Sequence, residues 1–290
     1  LPLPLAEHLW LVLQVACSAL FLVVVGRGLA PLAPLRSSVF IPLTVALGLW
    51  TMPVVLNARI GQINAQLILL LVADLGLLQR RSWAAGVGSG LATAAKLTPA
   101  LLIPYFWLAG HRKAAAVAVA TLMLATAVGA FFHPDDSLRY FGQELFRTER
   151  VGTLDSGFSN SLGRATALLP SAAATPVYLV LALGVVGLTY RRAARADLLT
   201  GFTLVMCASY LVSPISWGHH LFFLIPAVLG WLLSCRRPWQ WAIAVVALAV
   251  LFDPIGVGEH PLTSALRIPL LLWLVLALPR AQQLASTRRC

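Results

Sequence analysis

The chain has 290 residues, of which 59% are hydrophobic and only 11% charged, and its mean hydropathy is +0.86. Soluble domains run at about 45–50% apolar and about 25% charged, so the composition excludes an ordinary soluble enzyme, a disordered protein and a nucleic-acid-binding domain. The formal charge is nonetheless +11, from 21 Lys and Arg against 10 Asp and Glu, the pattern of a polytopic membrane protein with cationic cytoplasmic loops.

The first apolar run, 8–25, begins almost at once. No basic region precedes it and no small-residue cleavage site follows, so it reads as a span and not a signal peptide. Further spans are predicted at 39–56, 63–78, 114–132, 176–190, 198–212, 220–233, 239–252 and 262–278, about nine in all. Cys17, Cys207, Cys235 and Cys290 are scattered without ligand spacing and read as buried apolar residues. No repeat or linker divides the chain, so 1–290 is expected to be one all-α integral-membrane domain.

Short-loop arginines set the orientation. Arg27, Arg36, Arg80, Arg81, Arg112, Lys113, Arg191, Arg192, Arg195, Arg236, Arg237, Arg280, Arg288 and Arg289 fall on one side, 14 of the 21 basic residues. With these in the cytoplasm, Glu7, Asp135, Asp136, Glu144, Glu149, Asp155, Asp253 and Glu259 lie outside, and only Asp74 and Asp197 break the rule. This predicts a multi-pass plasma-membrane protein with Leu1 on the outer side.

Residues 82–110 lie between two basic clusters assigned to the same side, and two crossings would need about 40 residues. A re-entrant hairpin fits, with Lys96-Leu97-Thr98-Pro99 at its tip and Thr98 capping a new helix. Irregular backbone at that depth requires protein or a water-filled cavity around it, so Lys96 is expected to face a polar cavity opening outward. The alternative is one long span that violates the charge rule. The stretch 133–174 is expected to be an extracytoplasmic loop, with a short interfacial helix at 141–146.

Ionisable groups at membrane depth are functional candidates by default, and four polar clusters fall on the outer side. Asn57, Gln62 and Asn64 can bind a sugar or acceptor hydroxyl; with a spacing of seven, Asn57 and Asn64 would share a face of one helix, and they could equally glue helices together. Lys96 suits a phosphate, or snorkels to the interface. Ser159-Asn160-Ser161-Leu162 offers Asn160 and Ser161 to a ligand, or forms a plain turn. In Ser213-Pro214-Ile-Ser216-Trp217-Gly218-His219-His220, Trp217 can stack on a sugar ring while His219 and His220 meet a phosphate; an aromatic belt is the alternative. Together they point to chemistry on a lipid-phosphate sugar at the outer surface.

Gly61-Gln62-Ile-Asn64, Lys96-Leu-Thr98-Pro99 and above all Ser213-Pro-Ile-Ser-Trp217-Gly-His219-His220 resemble the actinobacterial polyprenyl-phosphate-mannose-dependent α-(1→2)-mannosyltransferases, glycosyltransferase family 87, over about residues 9–278. The family's Asn-Gln-Ser-Leu loop motif is matched as Ser159-Asn160-Ser161-Leu162, with two residues changed. The resemblance implies the GT-C membrane fold, a polyprenyl-phosphate-mannose donor and a glycolipid or glycan acceptor. No cofactor, metal or nucleic acid is expected. Transfer would be one in-line displacement at the anomeric carbon, with Lys96, His219 and His220 on the departing phosphate and Arg59, Arg150 and Arg267 in reserve. The family carries its catalytic aspartate on a first outer loop, after an earlier span. Neither has a counterpart here, so the chain is expected to lack both and to be inactive alone; Asp135, Asp136 and Asp155 receive no catalytic role. A transporter or flippase of a lipid-linked sugar is the rival class.

Overall fold

A computed structural model describes residues 2–147, 159–253 and 261–278; these form helices and connecting turns, with no strand among the described residues. The first helix, α1 (Leu3–Leu29), carries no charge between Glu7 and Arg27. It buries Gln14, Cys17, Ser18, Phe21, Leu22 and Val25, a stripe at three- and four-residue spacing. Leu9, Val12 and Leu20 on its other faces stay exposed, as in a helix that meets lipid.

The second expected span is bent. α2 (Ser37–Gly48) and α3 (Met52–Arg59) meet at 48°, where Thr51 is extended ahead of Met52-Pro53 and Pro53 supplies no backbone N–H. α3 ends at Gly61, whose φ of +66° is left-handed. The Gly61 N–H reaches the Ala58 carbonyl and the Gln62 N–H the Asn57 carbonyl, the two bonds of a Schellman stop. The chain restarts as α4 (Asn64–Gln79). Asn57 and Asn64 therefore sit on two helices, and the expected common helix face is corrected by the stop at Gly61.

Residues 82–110 fold as the expected hairpin. α5 (Val87–Ala95) leads to an extended Lys96, and a 3-10 turn (Thr98–Leu101) runs into α6 (Leu102–Leu108). The new helix starts without a side-chain cap from Thr98. At 9 and 7 residues, α5 and α6 rise about 14 and 10 Å against about 30 Å of hydrocarbon. α5 is wedged between α4 and α7 (Arg112–Phe132). A Cβ on Gly88 would lie 2.2 Å from the Leu70 carbonyl oxygen of α4, and one on Gly86 2.2 Å from that of Ala114 in α7. Small residues alone permit such backbone approach.

After α7 comes α8 (Pro134–Gly142), which opens with Pro134 and two acids at its positive end, and then a 3-10 turn at Glu144–Phe146. The short helix thus precedes the expected 141–146. α9 (Leu162–Thr166), α10 (Ser171–Ala193), α11 (Leu198–Val212), α12 (Leu224–Ser234), α13 (Pro238–Phe252) and α14 (Pro261–Ala277) complete the bundle. Cys17, Cys207 and Cys235 are buried and free; Cys290, Glu149, Arg150, Asp155 and Glu259 lie outside the described residues.

Both acids that broke the charge rule cap helices. Asp197 accepts the Thr200 N–H at the start of α11. Asp74, fully buried in α4, accepts the N–H groups of Gly86, Gly88 and Ser89 at 3.0, 3.2 and 2.6 Å, so a carboxylate sits at the positive end of α5.

Gly28 of α1 abuts Leu199 of α11, Gly201 of α11 abuts Tyr105 of α6, and Arg192 of α10 donates to the Leu278 carbonyl. Helix directions then carry Arg27, Arg80, Arg112, Arg191 and Arg236 to one end of the bundle, and the connections bearing Asn57, Lys96 and His219 to the other. Among the described residues, three helices are long and apolar enough to cross a membrane: α1 with its following turn, α7 and α10; the bent α2–α3 pair, counted as one span, would make a fourth. The other apolar helices have 10–17 residues, so about nine full spans are not reached on length among the described residues.

Candidate functional site

At the end away from the arginines, the α3–α4 stop, the α5–α6 tip and the turn after α11 converge. The hairpin tip presents Lys96 to α4, where its Nζ donates to Asn64 Oδ1 at 2.8 Å. Asn64 Nδ2 donates to Asn57 Oδ1 at 2.9 Å and to the His219 carbonyl at 3.2 Å. Asn57 Nδ2 donates to Gln14 Oε1, and Gln14 Nε2 to the Gln62 carbonyl at 2.6 Å. Every donor in this chain points away from Lys96. The amides of Asn57 and Asn64 are thus engaged inside the protein, at 1% and 6% exposure. Gln62 contributes its backbone carbonyl and is half-buried.

The turn after α11 carries the second set. Gly218 fits because α3 lies against it, with a Cβ there 2.7 Å from Met52 Sδ. Phe222 and Phe223 pack edge-on to Phe21, with ring centres 6.1 and 5.6 Å apart, anchoring the turn to α1. The Trp217 N–H donates to His220 Nδ1 at 3.2 Å, which leaves the proton of a neutral His220 on Nε2. His219 is buried and its ring meets that of His220 edge-on at 4.4 Å. Burial, and secondly the Lys96 charge, push the His219 pKa down to about 3. The imidazole is therefore neutral and offers hydrogen bonds, while Lys96 supplies the positive charge. Trp217 is half-buried.

Lys96, Asn64, Thr98, Tyr210 and His220 line a cavity of about 20 Å³ with Leu67, Ile68 and Met206, room for about one water. A polar cavity opening outward was expected at the hairpin tip; the one found is small, and its surface is largely apolar, from Leu67, Ile68, Leu71, Pro99 and Met206. The residues lining it include no Asp or Glu.

Asn160 and Ser161 are fully buried and tie the long loop to the Ser213–Ser216 strip. Asn160 donates to the Ser216 carbonyl from its backbone (2.6 Å) and from its side chain (2.9 Å), and Ser161 Oγ donates to the Pro214 carbonyl at 2.7 Å. They brace the motif from behind, without the exposed polar face expected of sugar-binding groups. Arg267, held in reserve as a phosphate ligand, is also fully buried. It donates to Asn160 Oδ1 at 3.4 Å and pairs with Asp253 at 3.2 Å. Arg59 is exposed, beside a wider cleft of about 790 Å³ that Trp10 and Trp50 also line. Asp135 and Asp136 are exposed on α8. Sequence reasoning missed Gln14, Asp74 and the Arg267–Asp253 pair. A lone glutamine inside the apolar run 8–25 was the available signal for the first.

The family model described as Glycosyltransferase family 87 matches residues 1–214. A Mycobacterium tuberculosis protein described as a polyprenol-phosphate-mannose-dependent alpha-(1-2)-phosphatidylinositol mannoside mannosyltransferase is 34% identical over 211 residues, 69% of this chain and 48% of that protein. Its namesake from Mycolicibacterium smegmatis is 32% identical over 232 residues, 73% and 52% respectively. A Mycolicibacterium smegmatis phosphatidylinositol pentamannoside mannosyltransferase is 33% identical over 199 residues, 66% and 47%. The chain thus spans about half the length of the curated relatives it matches. No solved structure matches.

Proposed function

The chain belongs to glycosyltransferase family 87, and from that premise we propose that it transfers a mannosyl group from a polyprenyl-phosphate donor to a glycolipid acceptor at one face of the membrane. The observation that carries the reading is Lys96: a cation held at 2.8 Å by a buried amide, at the rim of a cavity shared with His220. The curated relatives' names, which specify a polyprenol-phosphate-mannose donor and phosphatidylinositol mannoside acceptors, support the choice of substrates.

In the proposed step an acceptor hydroxyl oxygen attacks the anomeric carbon. The bond from that carbon to the phosphate oxygen breaks, and its electron pair stays on the phosphate, which gains negative charge. Lys96 and the Nε2–H of His220 stabilise that charge more in the transition state than in the bound donor. The hydroxyl proton passes to a carboxylate base, which the cavity lining does not contain. Trp217 offers an apolar face to a sugar ring, while Asn57, Asn64, Asn160 and Ser161 hold the site in shape.

The same proposal takes the fold as GT-C, multi-pass, with the site on the extracytoplasmic face. The gathering of Arg27, Arg80, Arg112, Arg191 and Arg236 at the opposite end supports that orientation. Membranes carrying the full-length protein, supplied with radiolabelled polyprenyl-phosphate-mannose, are expected to move label into an extractable glycolipid. Label that changes leaflet while remaining on polyprenyl phosphate would support transport and overturn the reading.

A further inference from the structure

We infer that Gln14 is a positioning residue for Lys96, acting through the amides of Asn57 and Asn64. This rests on the reading of Lys96 as the cation for the departing phosphate. Gln14 is 1% exposed in the middle of α1, on a helix that shares none of the motifs, yet its side chain joins the site at both ends.

A primary amide has one donor end and one acceptor end. The Gln62 carbonyl can only accept, so Gln14 must turn Nε2 toward it, at 2.6 Å. Gln14 Oε1 then faces Asn57 and accepts from its Nδ2. Asn57 Oδ1 must in turn face Asn64, and accepts from Nδ2 at 2.9 Å. The His219 carbonyl, also an acceptor only, draws the same Nδ2 at 3.2 Å. The remaining atom, Asn64 Oδ1, is left for Lys96 at 2.8 Å. Two fixed backbone carbonyls thus set the direction of three amides, and the series ends with an acceptor aimed at the ammonium. Were it reversed, two donors would meet at Lys96, which has no acceptor to offer. Each bond also polarises the next. The role extends from Gln14, through α3 and α4, to a group on the hairpin tip.

The test measures mannosyl transfer by full-length protein in native membranes. Gln14→Met fills the same space and removes the acceptor for Asn57. Its kcat is expected to fall about 10-fold with donor KM changed less than about twofold, since the phosphate gains charge only as the bond breaks. Gln14→Glu, which when protonated presents the same donor and acceptor ends, is expected to recover most of that loss. If Gln14→Met does not accumulate, Gln14→Asn, too short to span both partners, makes the same comparison. Unchanged kcat in Gln14→Met or Gln14→Asn, or an equal loss in Gln14→Glu, would overturn the inference. Lys96→Met run alongside separates the two levels. Its retained activity defeats the phosphate reading itself, whereas an inactive Lys96→Met beside a fully active Gln14→Met defeats only the role of Gln14.

Discussion

Lys96 Nζ lies 2.8 Å from Asn64 Oδ1, a contact between the tip of the α5–α6 hairpin and the first residue of the helix it folds against. It joins two sequence motifs 32 positions apart and leaves Lys96 half-buried in the lining of a cavity. The first prediction removes the partner. Asn64→Leu frees Lys96 and leaves the His219 carbonyl and Asn57 Oδ1 without their donor. Transfer is expected to fall on the order of 10- to 100-fold, equivalent to about 1.4–2.7 kcal/mol of lost transition-state stabilisation. Steady-state kinetics at equal protein abundance checks it.

A second prediction concerns the wedge. A Cβ at Gly88 would stand 2.2 Å from the Leu70 carbonyl oxygen, which is backbone and cannot step aside. Gly88→Ala is expected to push α5 off α4, at about 1–3 kcal/mol, and to carry Lys96 away from Asn64. Gly76→Ala, with open space around it, is the control and is expected to be neutral or slightly stabilising. Thermal unfolding in detergent distinguishes the two.

Asp74 is the third case. It is fully buried and accepts three N–H groups at the start of α5. Asp74→Ala orphans all three and is expected to cost about 2–4 kcal/mol. Asp74→Asn keeps one acceptor and should cost less. Equal melting of Asp74→Ala and the parent protein would show that the cap is dispensable.

How much of this was legible in the sequence follows from the range of the contacts. The α11 boundaries were read correctly, because Asp197 and Pro214 bracket an apolar run. The hairpin was legible by arithmetic, since 82–110 is too short for two crossings. The bend between α2 and α3 was not, because hydropathy is blind to direction and Thr51-Met52-Pro53 lies within one apolar stretch. Asn57 and Asn64 were paired correctly in space for the wrong reason: a common helix face was expected, and the Gly61 stop brings them together across a helix break. The roles of Asp74 and Arg267 depend on partners 12 to 107 positions away, which periodicity does not reach. Asn160 and Ser161 looked like ligand groups because exposure is invisible in a polar loop sequence.

The Arg267–Asp253 pair gives a fourth prediction. Both side chains are fully buried. Arg267→Met alone leaves a buried carboxylate and is expected to destabilise by about 3–5 kcal/mol. Arg267→Met with Asp253→Leu should cost less than Arg267→Met alone. A double variant no more stable than the single would contradict this.

The fifth prediction is the acid limb of stability. The folded pKa of His219 is pushed down to about 3 by burial and by Lys96, against about 6.5 in an unfolded chain. Between those values the unfolded chain binds the extra proton, so stability rises with pH and is lost as pH falls from about 6.5 toward 3. The slope from this group is at most about 1.4 kcal/mol per pH unit. Melting temperature against pH should be flatter in His219→Gln; an unchanged slope would count against the assignment.

The central claim is that Lys96 carries the charge of the departing phosphate. The direct measurement is kcat for mannosyl transfer from polyprenyl-phosphate-mannose in Lys96→Met and Lys96→Arg full-length protein, at matched abundance. A loss of at least about 100-fold is expected in Lys96→Met, with partial recovery in Lys96→Arg, which restores the charge in a different shape. A Lys96→Met protein that turns over within about threefold of the parent would contradict it.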